Sequence, residues 1–163
     1  MNKIESFKVD HQRLKRGVYV SRKDYLNEEV LTTFDIRMTL PNIEPAMEPS
    51  AIHAIEHLGA TYLRNHAEYK EKTIYFGPMG CRTGFYAIFK GDLQSRDVVE
   101  IMQEVFMFVK DYEGGIPGAD EYSCGNYLDL NLPMAQYWAS KYYVEVLLHL
   151  TEGNLVYPKS DEK

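Results

Sequence analysis

Hydrophobic and polar residues alternate along LTTFDIRMT at 31–39, with Phe34, Ile36 and Met38 on one side and Asp35, Arg37 and Thr39 on the other. A period of two puts these sets on opposite faces, so the segment reads as a half-buried strand. Upstream, VYVSRKDY predicts a short strand, and the first thirty residues otherwise show no helical period. Pro41, Pro45 and Pro49 then punctuate a loop. From Ser50, a plausible N-cap, Ile52, Ile55, Tyr62 and Leu63 recur near helical spacing, which predicts a helix running to about Asn65. TIYFG and GFYAIFKG, rich in aromatic and β-branched residues, read as two strands around a tight PMGCRT loop. Residues 96–112 predict a second amphipathic helix, with Val98, Ile101, Met102, Val105, Phe108 and Val109 on one face. EGGIPGADEYSCGNY is irregular, and a third helix is expected after Pro133 through MAQYWASKYYVEVLLHL. Strands joined by hairpins, followed by helices, predict an α+β fold: an antiparallel β-sheet with helices packed on one face.

Composition narrows the function classes. A chain of 163 residues is expected to form a single domain over 1–157, with PKSDEK at 158–163 as a frayed tail. Hydrophobic residues at 45%, with 13 tyrosines, are enough for a core and argue against disorder. A net charge of −6 leaves no electrostatic footprint for nucleic acid. No apolar run reaches the ~20 residues of a membrane helix, and the N-terminus has no signal-peptide stretch. A cytoplasmic location is the simplest expectation. A disulfide between Cys81 and Cys124 is disfavoured there, and no C-x-x-C is present. Both cysteines lie among glycines, in PMGCRTG and SCGNY, where backbone and side chains come close to ligands.

HAIEH at 53–57 is the most informative stretch. His53 and His57 are four apart on a predicted helix, so they share a face and can converge on one ion. Glu56 lies beside them, able to reach substrate or ion-bound water without being a ligand. A solvated polar helix face would satisfy the same pattern with no function. H-x-x-E-H also marks the inverted zinc peptidases, which take a carboxylate as third ligand. Here the candidate third ligand is Cys124, and a His₂Cys set with an open fourth position suits a catalytic ion. A non-catalytic domain stabilised by a metal is a third reading, and it has no use for Cys81.

HxxEH, PMGCRTG and CGNY occur in that order, preceded by SFKVDH and FDIRMTLPN and followed by YWASK. From Ser6 to about Lys141 the chain thereby resembles the S-ribosylhomocysteine lyase (LuxS) family. The resemblance implies His53, His57 and Cys124 as metal ligands and Cys81 and Glu56 as the catalytic pair. It also implies Ser6, His11, Arg37, Arg64 and Gly125 in substrate binding. The implied cofactor is one divalent ion per chain, expected to be ferrous iron, with zinc or cobalt able to substitute. The implied assembly is a homodimer with active sites at the interface, Ser6 and His11 serving the partner's metal site. The chain departs from the family pattern at Tyr75, at Gly77 and over 128–135, which bears on contacts to the substrate's amino-acid part. His66 and His149 fall outside every motif and are assigned solvated or core roles.

The chemistry implied is cleavage of S-ribosylhomocysteine to homocysteine and dihydroxypentanedione, within methyl-cycle recycling and quorum-sensing autoinducer synthesis. A thioether leaves readily only from a carbon β to a carbonyl. Two proton shifts bring the sugar's carbonyl into that position, and β-elimination follows. Cys81 would act as a thiolate, which requires its environment to lower its pKa. Arg82, Arg37 and the ion are the candidates for that effect.

Overall fold

A computed structural model describes Ile4 and residues 7–158. The implied substrate residue Ser6 lies outside the described residues. The strands are β1 (Gly17–Leu26), β2 (Glu29–Arg37), β3 (Thr73–Pro78) and β4 (Gly84–Lys90), and the helices α1 (Pro49–Asn65), α2 (Val99–Lys110) and α3 (Leu132–Tyr142). The sheet is antiparallel, in the order β1-β2-β4-β3. Asn27, with φ 56°, turns the chain between β1 and β2, a left-handed conformation that asparagine tolerates.

Register sorts the two faces. Val18, Ile36 and Phe85 lie in one cross-strand row, and Tyr19, Asp35 and Tyr86 in the adjacent row on the opposite face. The first face carries Val18, Phe34, Ile36, Phe85, Ala87 and Phe89 into a core shared with all three helices. Burying each large side chain there contributes roughly 1.5–3 kcal/mol. This is the expected α+β arrangement.

The second face departs from expectation. β2 is not half-buried: Asp35 is 1% exposed and Arg37 4%, as enclosed as the apolar row behind them. Polar residues tolerate this because they satisfy one another. Arg37 donates to both carboxylate oxygens of Asp35, at 3.0 and 2.6 Å. The C-terminal segment lies across the pair, with Tyr157 stacked on Tyr19.

Three element boundaries also move. α1 starts at Pro49 with Glu48 as N-cap, not at Ser50, because proline is pre-shaped for the first helical position. Glu48 makes no side-chain cap and instead accepts the Trp138 indole N–H at 2.7 Å. The second helical segment opens with a 3₁₀ turn, Ser95–Val98, before α2. The third closes its α-helical part at Tyr142 and continues as a π turn, Tyr143–Leu147.

Candidate active site

One flank of α1 buries Ile52, Ile55 and Leu58. The remaining flank brings His53 and His57 against the irregular 117–129 segment. His53 Nδ1 bonds the Asp129 carbonyl at 2.9 Å, and His57 Nδ1 bonds the Pro117 carbonyl at 2.8 Å. A carbonyl only accepts, so both Nδ1 atoms carry the proton and both Nε2 atoms keep a lone pair for a ligand role. The Asn131 amide donates to the Ser50 carbonyl at 3.0 Å, pinning the end of this segment to the first turn of α1. Gly118, with φ +72°, takes the left-handed turn beside the His57 ring that a side chain would disfavour.

Cys124 reaches the same place from a turn built on Asp120. The Asp120 carboxylate accepts the Tyr122 and Ser123 amides at 2.9 Å each, and its main-chain carbonyl accepts the Cys124 amide at 3.1 Å. Cys124 Sγ lies 3.4 Å from His53 Nε2, and the Asn126 amide donates to that sulfur at 3.4 Å. The ligand atoms of His53, His57 and Cys124 all lie within 4.8 Å of one another. Bonds of about 2.0–2.3 Å to a shared tetrahedral ion would set neighbouring ligand atoms about 3.3–3.6 Å apart. Cys124 Sγ and His53 Nε2 sit at that separation and all three ligand atoms lie within 4.8 Å, so two unprotonated imidazole nitrogens and one thiol could close on a divalent ion with a small adjustment. Among the described residues no fourth side chain of a ligating type joins the cluster, which leaves an open position. Gly125, next to the ligand cysteine, has open space around it. Glu56 is half-buried one residue before His57, and no hydrogen bond or ion pair engages its carboxylate among the described residues.

Cys81 lies elsewhere, on the second face of the sheet, exposed on the loop between β3 and β4. The loop is tied down by its backbone: Met38 and Thr39 amides donate to the Thr83 carbonyl, and the Met47 amide to that of Arg82. Cys81 Sγ is 3.1 Å from Thr83 Oγ1 and 3.8 Å from Arg37 Nη1. Arg37 Nη1 also donates to Thr83 Oγ1 at 2.6 Å. A guanidinium cannot accept, so the threonine's own hydrogen is free to point at the sulfur. Burial pushes the Cys81 thiol up, but the Thr83 hydrogen bonds and the Arg37 charge outweigh it and hold the thiol below its ordinary value. Of the side chains expected to do this, Arg37 takes part and Arg82 does not, while Thr83 went unforeseen. A cavity of about 250 Å³ opens over the thiol, lined among others by His11, Asp35, Arg37, Tyr86 and Tyr157. His11 Nδ1 bonds the Val9 carbonyl at 2.9 Å, which leaves Nε2 unprotonated in the neutral ring.

Cys81, Arg37 and His11 thus meet in one cavity, and His53, His57 and Cys124 in one cluster. Within a single chain the two groups remain apart, since no metal-cluster residue lines the thiol cavity. Arg64 joins neither. It sits eleven residues beyond His53, about 16 Å along the helix axis, and its guanidinium bonds the Thr73 and Ile74 carbonyls at 3.4 and 3.1 Å. His66 accepts the Glu68 and Tyr69 amides and pairs with Glu104 at 3.1 Å, a structural role at the end of α1. Sequence reasoning missed Thr83, Asp35 and Tyr157. A signal existed for Asp35, which lies two residues from Arg37 on β2 and so shares its face; Thr83 is set beside Cys81 by the left-handed turn at Arg82, φ 59°, which periodicity does not foretell.

Comparison with known proteins agrees with these motifs. Residues 4–152 match the family described as S-ribosylhomocysteinase (LuxS). The chain is 58% identical to the S-ribosylhomocysteine lyase of Clostridium beijerinckii, over 97% of this chain and 99% of that protein. It is 57% identical to the one from Finegoldia magna, over 98% of this chain and 100% of that protein. Against the one from Borreliella burgdorferi the identity is 51%, over 97% and 100%. With the family match covering most of its length and such relatives aligned nearly end to end, the chain belongs to the S-ribosylhomocysteinase (LuxS) family.

Proposed function

We propose that this chain is a carbon–sulfur lyase that cleaves S-ribosylhomocysteine to homocysteine and dihydroxypentanedione, with Cys81 and Glu56 as its proton-transfer groups. The single observation that carries this is the Cys81 thiol set 3.1 Å from Thr83 Oγ1 and 3.8 Å from Arg37 Nη1 in an open cavity, in a chain that also holds a His₂Cys cluster able to take an ion. The Cys81 thiolate takes the proton from the carbon beside the sugar's carbonyl and returns it to the neighbouring carbon. Arg37 and Thr83 hold the thiolate charge between these steps. Two such shifts place the carbonyl β to the thioether carbon, and loss of a further proton expels homocysteine. Glu56, without a hydrogen-bond or ion-pair partner among the described residues, handles the hydroxyl protons and the elimination. His53, His57 and Cys124 would hold a divalent ion, which would supply Lewis acidity for the oxygen charge that develops beside each abstracted proton. Ferrous iron is the ion we assign, with zinc or cobalt as substitutes.

The separation of the thiol cavity from the metal cluster supports a homodimer in which each active site draws on both copies. In that arrangement Cys81 and His11 of one chain face the metal cluster of its partner. Apolar side chains exposed toward the cavity face fit such a contact: Phe7 is 70% exposed at the thiol cavity. Ile4 and Tyr75 are exposed beside a neighbouring cavity of about 270 Å³ that shares Tyr86. We place the enzyme in the cytoplasm, where both thiols stay reduced, with homocysteine returning to methionine metabolism and the dione feeding a quorum-sensing autoinducer. The inverted zinc peptidase needs a carboxylate third ligand, and the third ligating group here is Cys124.

The test is to incubate anaerobically prepared, ferrous-loaded protein with S-ribosylhomocysteine and titrate the free thiol released. The expected result is catalytic release that is lost on chelation and restored by the metal. Absence of thiol release by metal-loaded protein, or peptide hydrolysis in its place, would refute the assignment.

A further inference from the structure

Tyr157 lies beyond the residues matched to the family, 4–152, yet it lines the thiol cavity. The segment that carries it is anchored. Leu155 is buried, and its carbonyl accepts the Ser95 hydroxyl at 2.8 Å. The Tyr157 ring stacks on Tyr19, centroids 4.8 Å apart and 15° from parallel. Its hydroxyl donates to Asp35 Oδ2 at 2.7 Å. We infer that Tyr157 is a positioning residue for Cys81: its hydroxyl, fixed on Asp35, keeps the Asp35–Arg37–Thr83 chain aligned and charged toward the sulfur.

The argument is one of shared acceptors. Asp35 is enclosed, and its two oxygens take three donors: Arg37 Nε on Oδ1, and Arg37 Nη2 with the Tyr157 hydroxyl on Oδ2. A hydrogen bond from tyrosine disperses part of the carboxylate's charge. Without it, Asp35 neutralises Arg37 more completely, and its own negative charge opposes a thiolate nearby. Burial and the Asp35 charge both raise the Tyr157 pKa, so the hydroxyl stays protonated and remains a donor. The titratable and charged groups facing the thiol are Arg37 and Asp35 from β2, Tyr86 from β4, His11 from the N-terminal turn and Tyr157 from the C-terminal segment. Of these, Tyr157 acts on the thiol through the charge of Asp35, both directly and by way of Arg37. Losing its contact with Asp35 therefore moves the Cys81 titration upward.

The inference rests on Cys81 being the base, but its test does not depend on turnover. Full-length metal-loaded protein is alkylated with iodoacetamide over about pH 5 to 9, and modification of the Cys81 peptide is followed by mass spectrometry, separately from Cys124. Tyr157→Phe keeps the ring stack and removes the hydroxyl. The Cys81 midpoint is expected to rise by about half a unit to one unit. At pH values well below the midpoint, that slows alkylation about three- to tenfold. Tyr157→Leu, lacking ring and hydroxyl, should shift it at least as far. An unchanged midpoint in Tyr157→Phe, or a rise confined to Tyr157→Leu, would overturn the inference. Retained turnover in Cys81→Ala would instead remove Cys81 as the base, and the alkylation series would still decide the role of Tyr157.

Discussion

Glu56 shares the half-buried flank of α1 with two residues of the His₂Cys cluster but has no partner of its own among the described residues. An unengaged carboxylate beside an open coordination position suits proton transfer, and it costs the fold nothing to change. Glu56→Gln keeps size and hydrogen-bonding capacity and removes only the base. Single-turnover thiol release should fall by roughly 10²–10⁴, with the ion retained and ketose intermediates visible by NMR. Thiol release at the wild-type rate would reduce Glu56 to an orienter of its neighbours. At this scale the cluster able to hold a metal was legible because four residues on a helix is a local relation, and Cys124 followed from its motif. The groups around Cys81 were less so. Arg37 and Thr83 are brought together by the pairing of β2 with β4, and Tyr157 reaches Asp35 across most of the chain. Such contacts depend on sheet order, which a periodicity argument does not supply.

Among the elements, α1 is the beam that carries the metal cluster, and its seating on the sheet decides where His57 sits. Gly59 marks the closest approach: a Cβ there would lie 2.4 Å from Phe76 Cε1. Phe76 has little room to yield, since it is buried and stacked on Phe85 at 5.1 Å, 3° from parallel. Gly59→Ala gains up to about 1 kcal/mol of helix propensity against about 1–3 kcal/mol of overpacking. The net expectation is a lower unfolding midpoint, by about 2–4 °C per kcal/mol for a chain of this size, together with weaker metal binding, both readable by calorimetry. A midpoint at or above wild type would show that α1 is seated more loosely than this packing implies. Strand β2 and the helices followed from periods of 2 and 3.6, and β3 and β4 from their aromatic and β-branched content. Their ends did not, because capping depends on tertiary partners: Glu48 bonds Trp138 in α3 rather than capping α1. The π turn after Tyr142 likewise leaves no mark in the apolar spacing.

At the scale of the whole molecule, the sheet separates the two groups of candidate site residues. The helix-covered face presents the ligand cluster along α1, and the opposite face presents the Cys81 cavity. A two-fold dimer built on that second face would bring each half-site to the complementary half on the other copy. The most direct measurement is subunit complementation. Cys81→Ala keeps an intact metal cluster, and His57→Ala keeps an intact thiol cavity; each alone should release no homocysteine from S-ribosylhomocysteine. Mixed and allowed to exchange subunits, half of the dimers are heterodimers, and each of those contains one site with both halves intact. Recovery of about a quarter of wild-type homocysteine release is the predicted result. No recovery from a mixture in which heterodimers are demonstrably formed would contradict a site shared between two copies.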